Sequence, residues 1–382
     1  MRVINIPQLR FQIISLVCLT LLAGCATAPP TERPAPEVAG PAEKVAEILV
    51  TIPADTPAEK QHLENLLLSL DEEGIRLLCR GVTPEAADAG YRTALQTLAE
   101  LLNRQDDLFA RNRLSEILLD EISRSGSLSI QLFFMKQLQQ VAGKNQADAL
   151  ITLLNHQNPS LAEAAGEVLA SIPGAAVAQK LGDALATSPP GLQTNLLDIL
   201  GKREARSQKE KIIQLIQSST GKVRLAGIEA LGAMSRKEDL ALLIERLASA
   251  DTPAERLVTK QAIRLALSRI SSTDFKTNHI LSLLANTKQP EIQAALIEIT
   301  PEVGGKRLLE AAAGALLHSD PEVVDTAVEA IASWPGDEAL PVLAGIAGDR
   351  EFQAHRWTAL RGVARLSTMA DDRTENEKIQ II

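Results

Sequence analysis

Apolar and small residues return along this chain in helical steps, and the steps themselves are organised into a longer repeat. With starts at positions 128, 159, 190, 221, 256, 290, 321 and 353, the intervals are 31, 31, 31, 35, 34, 31 and 32 residues. Within each unit the offsets +2, +6, +9 and +10 tend to carry apolar or small side chains. These are Leu161/Ala165/Val168/Leu169, Leu192/Leu196/Ile199/Leu200, Val223/Gly227/Ala230/Leu231, Val258/Ala262/Leu265/Ala266, Ile292/Leu296/Ile299/Thr300 and Val323/Ala327/Ala330/Ile331. The first unit (Ile130/Phe134/Gln137/Leu138) and the last (His355/Ala359/Gly362/Val363) are more degenerate. Such offsets place one stripe on one face of a helix.

Pro159, Pro190, Pro290 and Pro321 open four of these helices. Proline is tolerated there because its missing N–H would have no intrahelical partner. Asn158 and Asp320 precede two of them as N-caps. Breaks are expected at Pro173-Gly174, Gly201, Gly304-Gly305 and Pro335-Gly336, each followed by a second apolar helix such as Leu240 to Leu247. Each unit is therefore a helix–turn–helix of about 31 residues. The expected fold is all-α, an α-solenoid, since no hairpin can bury its stripe without a neighbour.

The segments Asp320-Pro321-Glu322-Val323…Ala327…Ala330-Ile331 and Val223 to Gly232 resemble HEAT repeats. The nearer likeness is to the short HEAT-like type also found in phycobilisome lyases. That resemblance covers roughly 128–370 and implies stacked hairpins. It also invites a reading as an enzyme accessory, but fold alone does not carry function. Residues 44–127 keep helical spacing (Leu63, Leu66, Leu67, Leu70; Tyr91, Ala94, Leu95, Leu98) but fall off the repeat. They are expected to form a divergent helical N-terminal cap. Residues 371–382 read as a polar tail or a truncated last repeat.

The first residues are of another kind. Arg2 and Arg10 flank the start of an uncharged apolar stretch, Phe11 to Leu22, too short for an ordinary membrane span. Leu22-Ala23-Gly24-Cys25 resembles the lipobox of bacterial lipoproteins. The resemblance implies a signal peptide over 1–24, cleavage between Gly24 and Cys25, and acyl chains, palmitate among them, on Cys25. Ala26, rather than Asp, implies the outer membrane on the periplasmic side. Five prolines between 29 and 41 make 25–43 a semi-rigid tether.

Composition removes several kinds of chemistry. Aromatics are 2% of the 382 residues, so stacking platforms for bases or sugars are scarce. Trp334 and Trp357 are the only tryptophans, and Trp334, before Pro335-Gly336, is expected to pack at a hairpin tip. Cys79 sits in a helical apolar stretch and reads as a small buried hydrophobe. His62, His156, His279, His318 and His355 form no HExxH pattern and no zinc-type cluster. Gly-Lys pairs occur at 143, 201, 221 and 305, but none completes a phosphate-binding loop. No catalytic residue, metal, cofactor or small-molecule substrate is expected.

Charge is unevenly spread. The chain carries a net −9, yet residues 201–276 hold an excess of six positive charges. Lys202, Arg203, Arg206, Lys209, Lys211, Arg236, Lys237 and Arg246 form a candidate docking patch for an acidic partner. The bland alternative is ordinary helix-end and surface charge. Nucleic acid is not expected for an exported chain. The expected function is a non-catalytic envelope lipoprotein serving as a scaffold or adaptor for protein partners. The alternatives are an accessory or truncated part of an enzyme, or an envelope assembly chaperone.

Overall fold

The computed structural model describes residues 40–84 and 88–368. The signal segment, Gly24, Cys25, most of the tether and the 371–382 tail lie outside the described residues. The described chain is helical throughout, with no strand among the described residues. Five helices come first: α1 (Pro41–Thr51), α2 (Pro57–Leu68), α3 (Glu72–Arg80), α4 (Ala89–Gln105) and α5 (Leu108–Arg124). The hairpins that follow are α6 (Leu128–Val141) with α7 (Ala147–Leu153), α8 (Pro159–Ser171) with α9 (Ala175–Thr187), and α10 (Pro190–Lys202) with α11 (Lys209–Ser218). Next are α12 (Gly221–Met234) with α13 (Leu240–Ala248) and α14 (Pro253–Ser268) with α15 (Thr273–Asn286). Then come α16 (Pro290–Glu298) and α17 (Thr300–Val303) with α18 (Lys306–Gly314), α19 (Pro321–Ala332) with α20 (Leu340–Gly348), and finally α21 (Arg356–Ser367).

Helix α1 starts at Pro41, so residues 41–43, read from the sequence as the end of the tether, belong to the first helix. Pro41 occupies a first helical position, where proline is compatible with the helix. In the first six helices, α2, α4 and α6 follow one another in one layer and α1, α3 and α5 in the other. One hydrophobic core runs from Val45 to Leu366.

The repeat offsets are buried nearly as the sequence predicts. Leu161, Ala165, Val168 and Leu169 are all buried, as are Val223, Gly227, Ala230 and Leu231, and Val323, Ala327, Ala330 and Ile331. Ile292 and Leu192 are half-buried.

One register is corrected. The unit placed at 256 starts at Pro253, whose helix is capped by the Thr252 hydroxyl accepting from Glu255 N–H at 3.1 Å. Its buried face is Glu255/Thr259/Ala262/Ile263, and Leu265 is 41% exposed. The physical reason is that two of the four stripe positions are polar. Thr259 returns its hydroxyl proton to the Glu255 carbonyl at 2.8 Å, and Glu255 lies between two arginines. The apolar side chains alone therefore trace a stripe three residues further along the helix.

Gly201 is also corrected. It is not a break but a buried residue inside α10. A Cβ on Gly201 would stand 3.0 Å from the Ala230 Cα. A Cβ on Gly232 would stand 2.7 Å from the Ala262 Cα, and one on Gly362 would stand 2.9 Å from the Ala332 Cα. With Pro253 as the start, all three contacts join offset +11 of one first helix to offset +9 of the next. At each junction one partner is glycine and the other alanine. These small pairs let consecutive first helices meet backbone to backbone.

The junction between α14 and α16 is built differently. Offset +11 there is Arg264, and long ion pairs span the gap. Arg256 and Lys260 reach Glu298 at 2.6 and 3.2 Å, and Arg264 reaches Glu302 at 2.5 Å. Helix α13, not α14, packs its length against α16.

Two substitutions separate close contact from helix propensity. Gly232→Ala should destabilise the fold by about 1–3 kcal/mol through overpacking, although alanine is favoured in a helix by about 1 kcal/mol. Gly345→Ala, in α20 with no atom near the added Cβ, should stabilise by up to about 1 kcal/mol. Urea unfolding midpoints that move in the same direction for both would refute the packing argument. Ala165→Arg, at a fully buried offset, should cost about 3 kcal/mol or more as an unpaired buried charge.

Candidate functional site

The charged block resolves into two populations. The first is committed to holding the repeats together. A helix leaves its last carbonyls without intrahelical donors, and its dipole makes that end negative. Arginine, with five donors in a planar fork, can satisfy several at once. Arg203, just after α10, donates to the carbonyls of Leu169 (2.6 Å), Ala170 (3.3 Å), Ile172 and Gly174 (2.9 Å), closing the end of α8. Burial lowers the pKa of Arg203 from its usual value. Arg269, after α14, donates to the Gly232 and Ser235 carbonyls at 3.4 and 3.3 Å, at the end of α12. Arg365, in α21, donates to the carbonyls of Ala332 (3.1 Å) and Trp334, at the end of α19. The same device thus recurs at three junctions.

Arg206 reaches forward to the Met234 carbonyl at 2.5 Å and to Asp239 at 3.1 Å. Lys209 pairs with the other Asp239 oxygen at 2.9 Å, and the Arg236 backbone N–H donates to Asp239 at 2.9 Å. Asp239 is buried. Burial alone would raise its pKa, but the bond from Lys209, the Arg236 amide and the nearby cations together outweigh it, and the pKa is lowered. Arg246 pairs with the buried Glu255 at 2.7 Å, and Arg224 approaches the same carboxylate at 3.4 Å while pairing with Asp251 at 2.6 Å. Lys211 crosses to Asp183 at 2.7 Å. Lys202 pairs with Asp198 one helical turn away at 2.8 Å.

The second population is small. Of the eight residues singled out from the sequence, Arg236 and Lys237 are exposed and make no ion pair with the described residues. The structure therefore does not assemble one continuous eight-residue patch. It brings Arg206 and Lys209 together on Asp239, uses Arg203 as a helix cap, and leaves Arg236 and Lys237 beside a groove. Net charge by segment reveals the excess of cations. It cannot reveal that their partners include backbone carbonyls, which carry no formal charge. Arg269 and Arg365 were not singled out; an arginine returning at the end of successive first helices is the signal that could have found them.

The histidines are dispersed. His62 faces Glu47 at 3.1 Å and His355 faces Asp325 at 2.6 Å. His279 stacks on Phe275 with ring centroids 5.6 Å apart. His156 and His318 have matching roles in the turns before α8 and α19. Each accepts, through Nδ1, the backbone N–H of the next N-cap residue, Asn158 or Asp320, at 3.0 Å. Those residues in turn accept from Ser160 and Glu322 N–H. Cys79 is free and buried, and burial pushes its thiol up to about 12. Trp334 is fully buried at its hairpin tip and donates to Glu338 at 2.9 Å. No cluster of three or more metal-type ligands occurs among the described residues.

The regular two-helix unit, the small-residue contacts between first helices and the proline-opened helix starts all belong to one repeat type. Residues 277–367 match the family described as HEAT repeats. That segment is built of HEAT-like repeats. No curated protein matches it. Among solved structures, it is similar to that of the Pds5–Scc1 complex, at 13% identity over 85% of this chain and 63% of that chain, TM-score 0.35. It is also similar to Kap121p, at 13% identity over 89% of this chain and 45% of that chain, TM-score 0.44. A third is the CpcE–CpcF complex of phycocyanin lyase from Nostoc sp. PCC7120, at 17% identity over 70% and 92%, TM-score 0.27. The chain thus spans less than two thirds of the Pds5–Scc1 chain and under half of Kap121p.

Asp239 makes the stack acid-sensitive in a defined way. Asp239 has a folded-state pKa below its ordinary value, so its contribution is present above the unfolded pKa and is lost as pH falls through the folded one. Asp239→Asn should lower stability at pH 7 by about 2 kcal/mol. The gap from wild type should close as pH drops below about 4. Urea midpoints at several pH values test this, and a gap that widened in acid would reverse the assigned sign.

Proposed function

We propose that this chain is a non-catalytic scaffold of the bacterial cell envelope, held to the membrane by acyl chains on Cys25 and offering its repeats to protein partners. The observation that carries the scaffold reading is the division of labour among its ionisable side chains. The cations and carboxylates inside the stack are used to join one repeat to the next. The exposed helices present a long surface that needs no reacting group.

The anchor rests on residues 1–25. Leu22-Ala23-Gly24-Cys25 closes an apolar stretch of signal-peptide length. Acyl chains contribute about 0.8 kcal/mol per buried CH₂, so more than one makes a durable attachment. No described helix is long and apolar enough to cross a membrane. By its lipobox and Ala26, the chain is assigned to the outer membrane, facing the periplasm.

Labelled palmitate should enter the wild type and not Cys25→Ala, and equal labelling of both would end the lipoprotein reading. Cross-linking on intact cells followed by mass spectrometry should return a small set of folded partners. A broad spread of unfolded clients would instead point to an assembly chaperone. Charge reversal at Arg203 or Arg206 is unsuited to mapping partners, because both close helix ends and their loss should lower stability.

A further inference from the structure

The intra-repeat turns after α12 and α14 lie side by side and enclose an open groove of about 620 Å³. Arg236, Lys237 and Glu238 form one wall, and Arg269, Ile270, Ser271, Ser272 and Phe275 the other. Arg269 is spent on the end of α12 and on Glu204, at 2.8 Å. Arg236 and Lys237 are not. The Lys237 ammonium lies 5.4 Å above the Phe275 ring, and it makes no ion pair with a carboxylate among the described residues. An exposed cation on an aromatic face is only weakly held, so it remains open to an incoming carboxylate. Ile270 and the partly exposed Phe275 supply apolar surface beneath these charges.

We infer that this groove is a docking seat for an acidic, extended protein segment. Two carboxylates would engage Arg236 and Lys237, and an apolar side chain would lie along Ile270 and Phe275. The inference rests on the scaffold reading and names the chemistry of one partner. Charge complementarity identifies the occupant: Arg236 and Lys237, exposed and without an ion pair among the described residues, stand together on one wall of the groove. A polyanion is the poorer fit. It requires a run of unpaired cations, whereas Arg203, Arg206, Lys209, Lys211 and Arg246 nearby are already engaged. The groove is also floored by apolar side chains, which a polyanion does not use.

The test is fluorescence anisotropy on the purified full-length chain. The probe is a labelled ten-residue peptide alternating Glu with Leu and Ser, and its control replaces every Glu by Gln. The wild type should bind the acidic peptide at least tenfold more tightly than the control. R236E/K237E should abolish that preference, and Phe275→Ala should weaken binding severalfold, with circular dichroism unchanged in both. K144E/K288E, which alters the net charge equally at two exposed lysines elsewhere, should leave binding within twofold. Equal binding of the two peptides would overturn the inference, as would equal loss in K144E/K288E. Heparin binding as strongly as the acidic peptide, with no effect of Phe275→Ala, would assign the groove to polyanions instead. Failure here with a partner still recovered by cross-linking would reject the groove and leave the scaffold standing.

Discussion

The structure depends on how closely two consecutive first helices can approach. Each hairpin has an apolar stripe that it cannot cover by itself, and the next hairpin covers it. The approach is set at two offsets, +11 on one helix and +9 on the next. Gly201 against Ala230, Gly232 against Ala262 and Ala332 against Gly362 hold the backbones in contact. Because glycine can stand on either side, the constraint is on the summed size of the pair and not on one residue. Interiors pack near crystalline density, so an extra methyl at such a point must move a helix.

Helix ends present the second demand. Stacking brings the last carbonyls of each first helix toward the body of the protein, where water cannot satisfy all of them. Arg203, Arg269 and Arg365 meet that demand from the following repeat, and Arg206 from the preceding one. Two buried carboxylates, Asp239 and Glu255, hold further cations in place. Much of the positive charge in residues 201–276 is therefore structural mortar, which is why so little of it is left for a partner.

The repeat was legible because its signal, apolar offsets spaced by about 31 residues behind a proline, is local and periodic. Leu161/Ala165/Val168/Leu169 and Val323/Ala327/Ala330/Ile331 are buried as that pattern requires. It failed where burial is achieved by polar groups. Glu255 and Thr259 sit inside because Arg224, Arg246 and a main-chain carbonyl receive them, and no hydropathy scale can anticipate partners supplied by other helices. Gly201 was misread for a related reason: a glycine before a turn and a glycine at a contact look alike until the facing helix is known. The basic block was visible as charge, but its division into engaged and free members depends on distances between repeats.

The arginine that completes a helix end belongs to the repeat that follows. Boundaries drawn between hairpins on the backbone are therefore not boundaries of self-sufficiency. A duplication or deletion cut at the turn would separate α8 from Arg203, or α19 from Arg365, and leave a helix unfinished. The smallest portable module is one hairpin plus the end of the next first helix. Evolution or engineering that lengthens this stack must copy that overlapping unit rather than the visible one.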